Sequence, residues 1–71
     1  MTVEITFHVE RLNERWWCAH AMTPWHAQRM QGYGALQEDA IKRIKEIVQR
    51  AAPKGTTVTF VQAGSIPAKE G

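Results

Sequence analysis

One cysteine and three histidines are the residues of this chain best suited to metal binding or nucleophilic chemistry. Cys18 and His20 are two positions apart, so on a β-strand they would share a face, while His8 and His26 lie further along the chain. Structural zinc sites usually combine two pairs of closely spaced ligands, and here only Cys18 and His20 are close. The spacing therefore favours a half-buried thiol beside surface histidines, and we predict no metal ligands and no cofactor.

The same residues are poorly placed for catalysis. A Cys18 nucleophile with His20 or His8 as its base would need a cleft and an oxyanion site, and a flat sheet in so small a chain offers little concavity. The Gly-Tyr-Gly segment at residues 32–34 lacks the third glycine and the parallel-strand context of a nucleotide-binding loop. We therefore expect a protein that acts by binding, with no catalytic residues.

Length, charge and cysteine content narrow the class of protein. The chain has 71 residues, 44% of them hydrophobic, and a formal net charge of +2. A domain of this size is near the lower limit for a self-sufficient core, so self-association would help it. Its charge is well below that of a typical nucleic-acid-binding domain. With one cysteine, no signal-peptide pattern and no apolar run of ~18 residues, we expect a cytoplasmic protein with no membrane partner.

The other elements are arranged around residues 36–52, where hydrophobic residues recur at spacings of three and four, as on one stripe of an amphipathic helix. Strict alternation over residues 2–10 predicts a strand whose apolar side lies under that helix. Further strands are predicted at residues 16–22, 25–33 and 56–61. The prediction is an α+β fold of order β-β-β-α-β. A three- to four-stranded antiparallel sheet carries one helix in a single domain over residues 1–61, followed by a loose tail over 62–71.

The tandem tryptophans of the second strand cannot both lie under the helix, because adjacent residues on a strand point to opposite faces. A three-residue turn over residues 12–14 would set Val9 opposite Trp17, whereas a two-residue turn would set it opposite Cys18. We favour the three-residue turn. It places Trp17, Ala19 and Ala21 under the helix, and Trp16, Cys18, His20 and Met22 on the open face beside Thr6 and His8.

An exposed tryptophan on the open face indicates a binding surface, since tryptophan and arginine are the residues most enriched at interface hot spots. The ordinary alternative is that Trp25 and one of the tandem pair complete the core. The candidate partner-binding residues are Trp16, His8, His20, Glu4, Glu10 and Glu14.

RNA binding is a second hypothesis, because small sheets hold single strands by stacking bases on aromatic rings and contacting phosphates. Acidic residues on the same helix interrupt the basic ones, which is typical of an ordinary solvated face. A third hypothesis is that the exposed face only forms a homodimer, through paired edge strands or stacked faces. The RNA-binding candidates are Arg29, Lys42, Arg43 and Lys45.

The join between the third strand and the helix reads GYGALQEDAI over residues 32–41, and the second strand opens with WWCA over residues 16–19. An aromatic strand with a central alanine, followed by a glycine and an acidic-Ala helix opening, resembles the HicB-like antitoxin domain. Three features depart from that family. Ala35 replaces the usual capping threonine, the family's proline-rich turn is reduced to Thr23-Pro24-Trp25, and these 71 residues include no DNA-binding segment, so we do not expect operator binding.

The resemblance implies a compact sheet with one helix, related in shape to partial ribonuclease H or double-stranded-RNA-binding folds and often dimeric. It also implies a prokaryotic or phage toxin–antitoxin system in which the domain sequesters a small RNA-cleaving toxin. On this basis we expect a stand-alone antitoxin or related inhibitor that sterically blocks a basic, RNA-facing surface. Trp16 would be the anchor, with Glu4, Glu10 and Glu14 as contacts to the basic partner.

Overall fold

The computed structural model describes residues 1–63. Its element order is β-β-β-α-β, as predicted, and each predicted boundary lies within one residue of the observed one. Gln62, predicted to begin the tail, is the last residue of a strand, and residues 64–71 lie outside the described part of the chain. The elements are β1 (Thr2–Arg11), β2 (Trp17–Thr23), β3 (His26–Gly34), α1 (Gln37–Ala51) and β4 (Thr57–Gln62).

The four strands form one mixed sheet in the order β3-β2-β1-β4. The β1–β2 and β2–β3 pairs are antiparallel, but β4 is parallel to β1, so the prediction of a purely antiparallel sheet is wrong. The helix is the reason. After β3, which runs in the same direction as β1, α1 carries the chain back along the sheet, so that β4 starts at the same end as β1 and must run parallel to it.

The β1–β2 turn is longer than predicted, since Arg11 pairs with Trp17 and Val9 lies opposite Ala19. The side chain of Asn13 explains this length, because its Oδ1 accepts hydrogen bonds from the N–H groups of Arg15 at 2.8 Å and Trp16 at 2.9 Å. The turn still has an odd number of residues, so the predicted faces of β2 are correct. Trp16, however, lies in the turn before β2, which corrects its placement on the strand.

The core lies between α1 and one face of the sheet. The alternating apolar residues of β1 point into it as predicted, together with the alanines of β2 and the buried stripe of the helix. Trp17, Trp25 and Phe60 pack around its margin. The fully enclosed residues are Ile5, Phe7, Ala19, Ala21, Ala40, Ile44 and Val48.

Two glycines on β3 bring the helix unusually close to the sheet. A Cβ at Gly34 would lie 2.6 Å from the backbone nitrogen of Ala40, and a Cβ at Gly32 would lie 2.8 Å from that of Ile44. The helix therefore sits off-centre, over β3 and β2, and has little contact with β1 or β4. Over residues 1–63, the structure contains no helix with the length and apolar character needed to cross a bilayer.

Candidate functional site

Exposed hydrophobic side chains gather where the β1–β2 turn meets the junction between β3 and α1. Strand pairing brings these segments together, because Trp17 is opposite both Arg11 and Gly34. Four large hydrophobic residues at this end are between 47% and 55% exposed. We call them the turn-end patch: Leu12, Trp16, Tyr33 and Leu36. Exposed apolar groups concentrated in this way are more typical of a contact surface than single scattered ones.

Trp16 and Tyr33 line a shallow groove of about 400 Å³ that continues onto the helix. The Tyr33 hydroxyl donates a hydrogen bond to Oε1 of Gln31 at 2.8 Å, which fixes one orientation of the ring. The helical wall of the groove has two acidic and two basic side chains, so it has no strong net charge. These helical residues are Asp39, Lys42, Arg43 and Glu46.

The three candidate glutamates do not form one surface. Glu10 lies opposite Cys18 near the turn end, and Glu14 lies in the turn next to Trp16. Glu4 pairs with Thr59 of β4 and is about 20 Å from Glu10 along β1, at ~3.3 Å per residue. Glu10 and Glu14 can therefore flank a partner bound at the turn-end patch, whereas Glu4 is too distant.

His8 and His20 lie together on the open face of the sheet, as predicted. They are directly opposite each other, with ring centroids 5.4 Å apart and planes inclined by 16°. Burial, reinforced by the positive charge of Arg29, holds the pKa of His20 below its ordinary value. His20 is therefore neutral at pH 7, and Glu10, whose Oε1 lies 3.7 Å from its Nε2, gains a charged partner only when the imidazole is protonated.

Cys18 lies on the open face, opposite Glu10 and Tyr33, and is only 4% exposed. Burial raises the pKa of its thiol, and the negative charge of Glu10 raises it further, against a smaller opposing effect of Tyr33. A protonated, covered thiol is a poor nucleophile and a poor metal ligand. Within residues 1–63 no group of three or more His, Cys, Asp or Glu side chains is arranged to hold a metal ion.

The basic residues proposed for RNA binding are divided between the two faces of the sheet. Arg29 lies on the open face beside His8 and His20. Lys42 and Arg43 lie on the helix side, in the groove of the turn-end patch. The ammonium group of Lys45 lies 5.7 and 5.8 Å from the ring centroids of Phe7 and Phe60. No single strand of RNA could follow all four in one continuous stripe.

Sequence reasoning selected Trp16 but omitted its neighbours in the patch. Tyr33 could have been found, because it alternates with Gly32 and Gly34 and so must face away from the helix. Leu36 has the spacing of the buried stripe, yet it is the N-cap residue of α1 and is exposed. Its position before the first turn moves it off the stripe that Ala40 begins.

Comparison with known proteins gives no match to a family model, a curated protein or a solved structure. The HicB-like resemblance therefore stays a prediction.

Proposed function

We propose that this chain is a protein-binding module of the antitoxin kind, which uses the turn-end patch to cover the RNA-facing surface of a small, basic, RNA-cleaving toxin. The observation that carries the proposal is that Leu12, Trp16, Tyr33 and Leu36, all about half exposed, lie at one end of the sheet, where Trp16 and Tyr33 share a groove. Two aromatic rings flanked by aliphatic groups have the composition of an interface hot spot.

The hydrogen bonds that fix the backbone of the turn around Trp16 favour this proposal. The backbone N–H groups of Arg15 and Trp16 both donate hydrogen bonds to Oδ1 of the Asn13 side chain, which holds the backbone that carries the indole. The N–H of Leu12 donates to the Trp16 carbonyl at 2.9 Å, which closes the turn. A preorganised anchor loses less conformational entropy on binding than a flexible one, so more of its contact energy contributes to affinity.

Two of the charges beside the patch suit a basic partner, although Arg11 and Arg15 lie in the same turn. Glu10 and Glu14 flank Trp16 on the side of the open face and the turn. Acidic residues at the rim of an apolar contact contribute more to association rate and orientation than to affinity. Inhibition would be steric: the patch would occupy the surface that the toxin needs for RNA, and no residue of this chain would take part in chemistry.

RNA binding by the chain itself has weaker support. An RNA base could stack on Trp16. However, Asp39 and Glu46 lie in the same groove as Lys42 and Arg43 and would repel phosphates. Arg29 lies on the other face of the sheet.

The test is capture of a partner from the source cell by the tagged chain, with and without nuclease treatment. We expect a small basic protein to remain after nuclease, and we expect the purified wild-type chain to inhibit RNA cleavage by that protein. Trp16→Ala should weaken the complex by roughly 2 kcal/mol, about 30-fold in affinity.

Met22→Ala is the matched control, because Met22 is 57% exposed but lies at the opposite end of β2. It should leave affinity unchanged. Equal loss in both variants would contradict the assignment of the patch. Recovery of nucleic acid alone, with steep weakening by salt, would replace it with RNA binding.

A further inference from the structure

The off-centre helix leaves one margin of the core thinly covered. Gly32 and Gly34 draw α1 toward β3, so Val58 and Phe60 on the helix side of β4 are only half-buried. Phe60 contacts the core through the edge of the Phe7 ring, with the two centroids 6.4 Å apart, and the ammonium of Lys45 lies 5.8 Å from its own centroid. The β4 margin therefore has apolar surface still available for burial.

The outer edge of β4 also has unused backbone groups. Thr57 N–H donates to Met1 O, and Ala63 N–H donates to Phe7 O, so the odd-numbered residues of β4 point their backbone groups toward β1. Backbone direction alternates along a strand, which turns the N–H and C=O groups of Val58, Phe60 and Gln62 outward. No strand among residues 1–63 pairs with this edge.

The composition of β4 does nothing to prevent pairing. Its sequence, TVTFVQ, contains no charged residue, proline or glycine. Natural proteins usually protect an exposed edge with a charge, a proline or a bulge. The opposite edge strand, β3, carries Arg29 and His26 and has an irregular register near its start.

We propose that β4 pairs antiparallel with β4 of a second copy of this chain, across a two-fold axis at Phe60. In that register Phe60 faces Phe60 of the second copy, and Val58 faces Gln62 in both directions. The outward backbone groups would then form about six hydrogen bonds, two for each closely spaced pair. The two four-stranded sheets become one continuous sheet with both helices on the same face.

A second copy is the occupant that this edge fits best. Antiparallel pairing of an uncharged strand with itself places no like charges opposite each other, and it adds an aromatic cross-strand pair at the centre. The half-buried side chains of Val58 and Phe60 would lose further exposure. The turn-end patch lies beyond Arg11, whereas β4 pairs only with residues 2–7 of β1, so the two surfaces are separate and the inference does not depend on the proposed function.

The experiment is sedimentation equilibrium of the full chain from micromolar to millimolar concentration. We expect a monomer–dimer equilibrium that Val61→Lys weakens about threefold, because the two introduced lysines would be diagonal neighbours with backbones ~7 Å apart across the axis and their like charges would repel. Gln62→Pro should weaken it similarly by removing an outward N–H. Gln31→Lys, the matched change on the edge strand β3, should leave the dimer intact.

Wild-type protein that stays monomeric throughout the range would overturn the proposal, as would equal weakening by Gln31→Lys and Val61→Lys. Amide hydrogen exchange of the wild type tests the register without any substitution. The N–H groups of Phe60 and Gln62 should become more protected as concentration rises, and exchange independent of concentration would count against β4. Trp16→Ala should leave the dimer unchanged, which separates this surface from the turn-end patch.

Discussion

The close approach of the helix to β3 predicts a large effect for a single methyl group at Gly34. In Gly34→Ala the new Cβ would lie 2.6 Å from the Ala40 nitrogen, 2.6 Å from Asp39 Cβ and 2.8 Å from the Asp39 carbonyl carbon. Two of these three atoms are backbone, so rotating a side chain cannot relieve the contact. The first turn of α1 would have to move away from the sheet.

The magnitude follows from two opposing effects. Overpacking a tight site costs about 1–3 kcal/mol, and backbone contacts place this one near the upper value. Replacing a strand glycine by alanine stabilises the folded state by roughly 0.5–1 kcal/mol, because alanine loses less conformational entropy on folding. We expect a net loss of about 2 kcal/mol from a total unfolding free energy of about 4–10 kcal/mol for a domain of this size. The melting temperature should fall by about 8–16 °C.

Urea denaturation followed by circular dichroism measures this loss, with an unchanged m-value indicating that the unfolded state is the same. Gly55→Ala is the control. Gly55 has a φ of 86° but nothing within 4 Å of an added Cβ, so its cost should be about 1 kcal/mol, from backbone conformation alone. A smaller loss for Gly34→Ala than for Gly55→Ala would refute the claim that glycine sets the helix position.

Two further predictions concern the turn and the open face. Asn13→Ala removes the hydrogen bonds of 2.8 and 2.9 Å from the N–H groups of Arg15 and Trp16. The unfolding free energy measured by urea titration should therefore fall by about 1 kcal/mol, and partner affinity should fall with it. Unchanged stability would show that the turn does not need this side chain. Because the pKa of His20 is lower when folded than when unfolded, the unfolded state binds more protons below about pH 6.5, and stability should decline as pH falls through that range. His20 faces Glu10 and His8 on β1 and Arg29 on β3, and His20→Gln should flatten the decline; an equally steep profile in the variant would assign it to another group.

The sequence predicted the elements well because each has a strong local signal. Alternation in β1 and the spacing of Ala40, Ile44 and Val48 in α1 identify the two faces that form the core. The face assignment of β2 was also correct, since it depends only on whether the turn has an odd number of residues.

The features that could not be predicted from the sequence depend on tertiary geometry. Alternation tells which face of β4 is apolar but not which strand it joins, so the parallel pairing with β1 was missed. The length of the β1–β2 turn depends on two hydrogen bonds of Asn13 that no hydrophobic pattern records. The turn-end patch was only partly predicted, because Trp16 and Tyr33 come to line one groove only once β2 and β3 are in register.

The parallel pairing of β1 with β4 also has consequences for the order of folding. The two hairpins join neighbouring segments, whereas Thr2 must find Thr57, near the other end of the described chain. Loop closure over so long a separation is slow, so β1, β2 and β3 should assemble before β4 docks. During synthesis β1 is thus an edge strand with unpaired backbone groups until β4 has left the ribosome. When β4 pairs with β1, β4 becomes the exposed edge strand in its place.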